Sequence, residues 1–118
     1  MLNTVHNATP HPVTVILENY RRRTIQPCGI IPRVAQKSAS RDDDASNLTV
    51  LPVMGADIMG EVTGLPPEKA GVWYIVSGMV GAALRGQRHD LLVPGTGPSD
   101  SPIREGGRIV AVTRLKRV

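Results

Sequence analysis

Alternation of apolar and polar residues is clearest in HPVTVILE, residues 11–18, where Val13, Val15 and Leu17 share one side and Thr14, Ile16 and Glu18 the other. A period of two is that of a half-buried strand, and this one starts just after a proline. Asn19-Tyr20 predicts a turn, and Arg21-Arg22-Arg23-Thr24-Ile25 a returning strand that ends at Pro27. Its arginines suit a sheet edge, where charge discourages further pairing.

Further along, IIPRVAQK at 30–37 predicts a short strand, and the polar SASRDDDAS that follows marks 38–47 as a loop. Residues 48–54 and 58–62 predict strands around a Gly-Ala-Asp turn, and LPPEKAG at 65–71 a rigid connection. The run VWYIV at 72–76 is apolar on both faces, which predicts a central strand. Ser77 then stands where an N-cap belongs, and Met79, Val80, Ala83 and Leu84 form one helical stripe. Gly78, Gly81 and Ala82 keep that helix slim enough to lie close to a sheet, and Gly86 ends it. Leu91–Val93 is a brief apolar segment, 94–107 a turn-rich loop, and 108–115 alternates as a last strand. In it Ile109, Ala111 and Leu115 are expected to face the core, opposite Arg108, Val110, Val112, Arg114 and Lys116.

The pattern therefore predicts a mainly β (α+β) fold. The expected architecture is a small twisted antiparallel sheet or open barrel with one short helix near 78–85, in a single domain spanning 1–118. Composition agrees. Phe is absent and Trp and Tyr together number three, so Val, Ile, Leu, Met and Ala must build the core, while twelve Gly and ten Pro mark many turns.

Charge narrows the range of partners. Fourteen Lys and Arg against ten Asp and Glu leave a net charge of +4, which favours anionic partners without the density of a dedicated nucleic-acid binder. Cys28 is the only cysteine, which excludes a disulfide framework within the chain and fits a reducing compartment. The start lacks the basic and apolar regions of a secretory leader, and no stretch is apolar enough to span a bilayer, so a cytoplasmic protein without membrane association is expected. Asn7-Ala8-Thr9 and Asn47-Leu48-Thr49 match the glycosylation sequon and, without a leader, read as chance.

The chemistry-bearing residues crowd into LRGQRHDLLVPGTGP, from Leu84. Side chains adjacent in sequence diverge, so Arg88-His89-Asp90 is a poor catalytic set. Either Arg88 pairs with a carboxylate in a local turn held by Asp90, or it grips an anion. His6, His11 and His89 lack metal-binding spacing, so no metal site is expected. Ser77 lies in V-S-G, outside a nucleophile elbow, and its capping role accounts for it; Cys28 has no recognisable partner. The Gly95-Thr96-Gly97 turn departs from the Walker pattern, though its backbone N–H groups could serve an anion, with Ser99, Ser101, Arg104 and Arg108 on the same loop or its exit. Arg21–Arg23 and the cations of Arg114–Arg117 would make one basic patch if the first hairpin and the last strand were neighbours. The stacking aromatics of single-strand binders and a major-groove helix are both missing.

Four stretches carry a likeness to known sequences: Thr9-Pro-His-Pro-Val13, Ile31-Pro-Arg-Val-Ala35, Trp73-Tyr-Ile-Val-Ser77 running on through an Ala-rich helix to Asp90-Leu-Leu-Val-Pro94, and Gly107-Arg-Ile-Val-Ala-Val-Thr-Arg-Leu115. Together they resemble a family of small, mostly uncharacterised proteins of bacteriophages, prophages and actinobacteria. The resemblance covers most of the chain except SRDDDAS and brings no assigned activity. It implies a phage-type accessory protein in the bacterial host cytoplasm. By analogy, it also points to the small β-rich oligomers that sequester cyclic or ADP-ribose-derived nucleotides of bacterial immunity.

The expectation is thus a non-enzymatic protein without cofactor, a homo-oligomer evading host defence by holding an anionic, nucleotide-like small molecule. Arg88, Arg104 and Arg108 would grip phosphates, His11 or Tyr74 would contact base or ribose, and Asp90 would orient Arg88 or accept a ribose hydroxyl. The alternatives are a nucleic-acid- or host-protein-binding accessory protein acting through the basic strands, and a small hydrolase using His89 or His11.

Overall fold

Tyr74, Ile75 and Val76 are buried on successive, opposite faces, so the apolar run of residues 72–76 forms a central strand, as its composition predicts. The computed structural model describes residues 3–37, 41–54 and 58–118. Its strands are β1 (Thr4–Asn7), β2 (Val13–Ile16), β3 (Arg22–Ile25), β4 (Arg33–Lys37), β5 (Ile58–Thr63), β6 (Val72–Ile75), β7 (Leu91–Pro94), β8 (Ile103–Glu105), β9 (Arg108–Ala111) and β10 (Leu115–Arg117). Two short helices, α1 (Asp43–Thr49) and α2 (Gly78–Ala83), and a 3-10 turn at Pro98–Asp100 complete the described elements. The chain is mainly β, and its small sheets do not close into a barrel.

The central sheet has the order β1-β6-β7-β10. β1 and β7 both run parallel to β6, and β10 is antiparallel to β7. Antiparallel pairing of the expected kind governs the three two-stranded sheets β2-β3, β4-β5 and β8-β9. Parallel neighbours need a crossover, and the segment from Val76 through α2 to Asp90 supplies it, making β6-α2-β7 a compact βαβ unit. The core lies beneath α2, where Ala8, Tyr74, Val76, Val80 and Leu91 meet Val34 and Val62 of the β4-β5 hairpin and Val93 and Val118 of the sheet.

Ser77 caps α2 by accepting from the Val80 N–H at 3.3 Å. A Cβ on Gly81 would stand 2.8 Å from Val93 Cγ1 and 3.0 Å from Val118 Cγ2, so the helix can lie this close to the sheet only with glycine there. Both features are visible in the sequence pattern.

The pattern misleads elsewhere. Residues 43–47, expected as loop, begin α1, because Asp42 caps it through its Oδ1 to the Ala45 N–H and because Asp43 and Asp44 favour the positive end of the helix. The expected strand at 48–54 is instead the end of that helix and a return: Ser46 Oγ, buried, accepts from Val53 N–H at 2.9 Å, and Asp42 N–H donates to the Val53 carbonyl. The expected turn at 55–57 lies outside the described residues, as do 38–40. The predicted last strand divides into β9 and β10, and between them Thr113 Oγ1 donates to the Asp100 carbonyl. Ala111 and Val112 are buried, whereas Ile109 and Val110 are exposed.

Candidate functional site

Because β1, β6 and β7 are parallel, their carboxyl ends emerge together, and the segments leaving them surround a cleft of about 500 Å³. That is the place where open sheets with parallel strands and helical crossovers hold their ligands, and the volume lies within the range of small-molecule sites. Thr9 and His11 follow β1, Ser77 and Arg85 bracket α2, Thr96 and Asp100 follow β7, and Lys116 and Arg117 enter from β10. Val13, Val76, Val93 and Val118 provide an apolar lining.

The lip at Thr9 and His11 is set by Asn7. Its amide is fully buried and donates from Nδ2 to the carbonyls of His11 (2.8 Å) and Ile25 (2.9 Å). Its Oδ1 accepts from Thr9 N–H (3.0 Å) and Thr9 Oγ1 (2.6 Å). The Asn-Ala-Thr spacing that matches a sequon is therefore a structural device, a side chain that folds the chain back two residues on and ties β1 to the β2-β3 hairpin.

Opposite it, the Gly95–Gly97 loop is held tightly. Gly95 N–H donates to the Arg114 carbonyl at 3.0 Å, and Gly97 N–H donates to Asp100 Oδ2 at 3.0 Å. A Cβ at Gly95 would lie 2.8 Å from Arg114 Cγ and 3.0 Å from its carbonyl oxygen, so close packing requires glycine there. Both glycine N–H groups are thus committed within the chain.

Charge in the cleft is unevenly distributed. Asp100 is its one acidic side chain among the described residues, and it is buried, bound by Gly97 N–H and 3.4 Å from Lys116 Nζ. Arg117 lies over the Trp73 ring, 5.5 Å from its centroid. Arg85, exposed at the end of α2, makes no ion pair among the described residues. The net balance favours an anion.

The six residues singled out from sequence fall in three places. His11 is on the cleft. Arg88, Asp90 and Tyr74 cluster at the opposite, amino-terminal side of β7. There Arg88 donates to both carboxylate oxygens of Asp90 and lies 3.4 Å from Glu68 Oε1. These hydrogen bonds, opposed by burial and reinforced by the charges of Asp90 and Glu68, hold the Arg88 guanidinium above its ordinary range. In this structure Arg88 pairs with carboxylates of its own chain. Tyr74 is buried in the core and stacks on His6, ring centroids 5.6 Å apart. Arg104 and Arg108 stand exposed on the β8-β9 hairpin and line neither of the two described cavities.

The three histidines are likewise dispersed, and among the described residues no group of three His, Cys, Asp or Glu side chains could hold a metal ion. Cys28 is exposed, with its N–H bound to the Asn7 carbonyl. No described helix is long and apolar enough to cross a membrane.

Sequence reasoning missed Thr9, Arg85, Thr96, Lys116 and Arg117 as cleft residues. The signal that would have found them is the strand-helix-strand succession of 72–93: read as a parallel unit, it places the site at the ends of its strands. No protein-family model, curated protein or solved structure matches this chain.

Proposed function

We propose that this protein binds an anionic, nucleotide-like small molecule in the cleft at the carboxyl ends of β1, β6 and β7, and holds it without turnover. The observation that carries this reading is the convergence of Arg85, Lys116 and Arg117 on one cleft in which Asp100, buried and already bonded, is the one acidic side chain among the described residues. Guanidinium and ammonium groups suit phosphate oxygens. The hydroxyls of Thr9, Ser77 and Thr96 and the imidazole of His11 offer bonds to a sugar or base, and the valine lining offers an apolar seat.

The arrangement of these groups supports holding without turnover. Covalent catalysis needs a nucleophile in hydrogen-bond contact with an oriented base. Ser77 is occupied as a helix cap, and no hydrogen bond joins His11 to Ser77 or Asp100 among the described residues. The likeness to phage and prophage proteins suits a role in which the chain withdraws a nucleotide signal of bacterial immunity, such as a cyclic nucleotide or an ADP-ribose derivative, from the host cytoplasm.

The test is to incubate the protein with cyclic dinucleotides and ADP-ribose, record thermal shifts, then heat to release ligand and chromatograph it. Stabilisation with intact nucleotide recovered is the expected result. Recovery of hydrolysis products would make the cleft an active site, and absence of a shift with every member of the panel would end the proposal.

A further inference from the structure

The most exposed large apolar side chains of the described chain are Val50 (91%), Tyr20 (89%) and Leu48 (85%). They stand on two projections: Leu48 and Val50 on the arm formed by α1 and its return, Tyr20 at the turn of the β2-β3 hairpin. Val50 and Tyr20 also share an unusual backbone, with φ of 55° and 61°. A β-branched or bulky residue in the left-handed region is strained, and such strain persists where surrounding contacts hold it. Here the chain's own packing leaves both residues bare.

The whole molecule has the same property. Its accessible surface is 8458 Å², against roughly 6,200 Å² for a compact monomer of this size. Its radius of gyration is 17.9 Å, where about 13.5 Å is usual.

Charge selects the occupant. The arm carries Asp42, Asp43 and Asp44, with Arg41 3.5 Å from Asp43. The hairpin carries Arg21, Arg22 and Arg23, all exposed and without an ion pair among the described residues. Two arms face to face would oppose like charges. Arm against hairpin joins acidic to basic and apolar to apolar.

We propose that a second copy of this chain covers the arm. Its β2-β3 hairpin seats Tyr20 against Leu48 and Val50 and sets Arg22 opposite Asp44. The exchange is reciprocal, so that a closed two-fold dimer forms and neither projection is left free to extend a filament.

Sedimentation velocity on the full chain at low and high salt tests this, with circular dichroism melts to confirm that each variant folds. A dimer that salt loosens is expected. Leu48→Glu and Tyr20→Glu should each yield monomers, and mixing the two variants should restore a weaker dimer, since one arm-hairpin contact remains intact. Arg22→Glu or Asp44→Arg alone should weaken association about tenfold at low salt, and together they should recover it. A monomeric wild type at tens of micromolar would overturn the proposal. Disruption by Leu48→Glu with no effect of Tyr20→Glu would also overturn it, because the arm would then meet another surface. So would a duplex-DNA gel shift lost in Arg22→Glu while sedimentation of that variant stays unchanged.

Discussion

Arg88 and Asp90 close a two-pronged ion pair, with Nε 2.9 Å from Oδ1 and Nη2 2.6 Å from Oδ2. The side chains are only 17% and 7% exposed, so the pair works in a partly dry setting where each partner needs the other. Replacing Arg88 by Met should cost about 3–5 kcal/mol by leaving Asp90 buried and unpaired. Lys at 88 should recover only part of it, since a single ammonium cannot reproduce the fork. Urea titration of the two variants checks this. Nucleotide binding at the distant cleft should be unchanged in whichever variant remains folded.

The same pair sets a pH expectation. The folded Arg88 titrates above its ordinary range, first because of its hydrogen bonds to Asp90. Its stabilisation is therefore fully present below the unfolded guanidinium range and declines only as pH rises through the higher folded value. Urea midpoints of wild type and Arg88→Met should differ by a constant amount from neutral to mildly alkaline pH. A gap that narrows across that interval would contradict the assignment.

Asn7 carries four hydrogen bonds with no exposed surface. Asn7→Ala should destabilise by about 2–4 kcal/mol, because the carbonyls of His11 and Ile25 lose their shared donor inside the fold. Asn7→Asp should be as damaging, since a carboxylate cannot donate to them. Amide exchange should show the loss concentrated at Thr9 and at Cys28, whose N–H donates to the Asn7 carbonyl.

Two glycines of one helix make an internally controlled pair. Gly81→Ala forces a methyl against Val93 and Val118, an overpacking that costs about 1–3 kcal/mol. That offsets the ~1 kcal/mol alanine gains in helix propensity. Gly78→Ala meets nothing within 4 Å and should be neutral or stabilising. Thermal melts of the two variants should therefore shift in opposite directions or by clearly different amounts.

Arg85 and Arg104 separate the cleft from the rest of the basic surface. Both are exposed, but only Arg85 lines the cleft. Arg85→Glu should weaken calorimetric affinity for the nucleotide that binds by tenfold or more, an energy of about 1.4 kcal/mol, whereas Arg104→Glu should leave it within a factor of about two. Equal effects would move the site off the cleft.

Local signals carried much of this structure. The two-sided apolar run at 72–76, the Ser77 cap, the slim face around Gly81 and the alternation of 13–16 each express a short-range rule, and each stands where the pattern put it. Helix α1 was equally local, with an aspartate cap and an acidic first turn. Its polar composition reads just as well as loop, because a helix with so little apolar face leaves no periodic trace.

Sequence by itself determined a mainly β chain with one capped, glycine-slim helix beside a central strand, and a surplus of cations. The strand-helix-strand succession of 72–93 hints that β6 and β7 run the same way, but only the tertiary structure decided that β1 lies parallel beside them. Strand direction is a property of the connection and leaves no mark on which side chains alternate, so periodicity could not distinguish a parallel core from an antiparallel one. On that direction hangs the cleft, which gathers Thr9, Arg85 and Lys116 from three distant stretches of chain. It also decided the fate of Arg88, since the burial of Asp90 beside Tyr74 makes that guanidinium a counter-ion of its own fold.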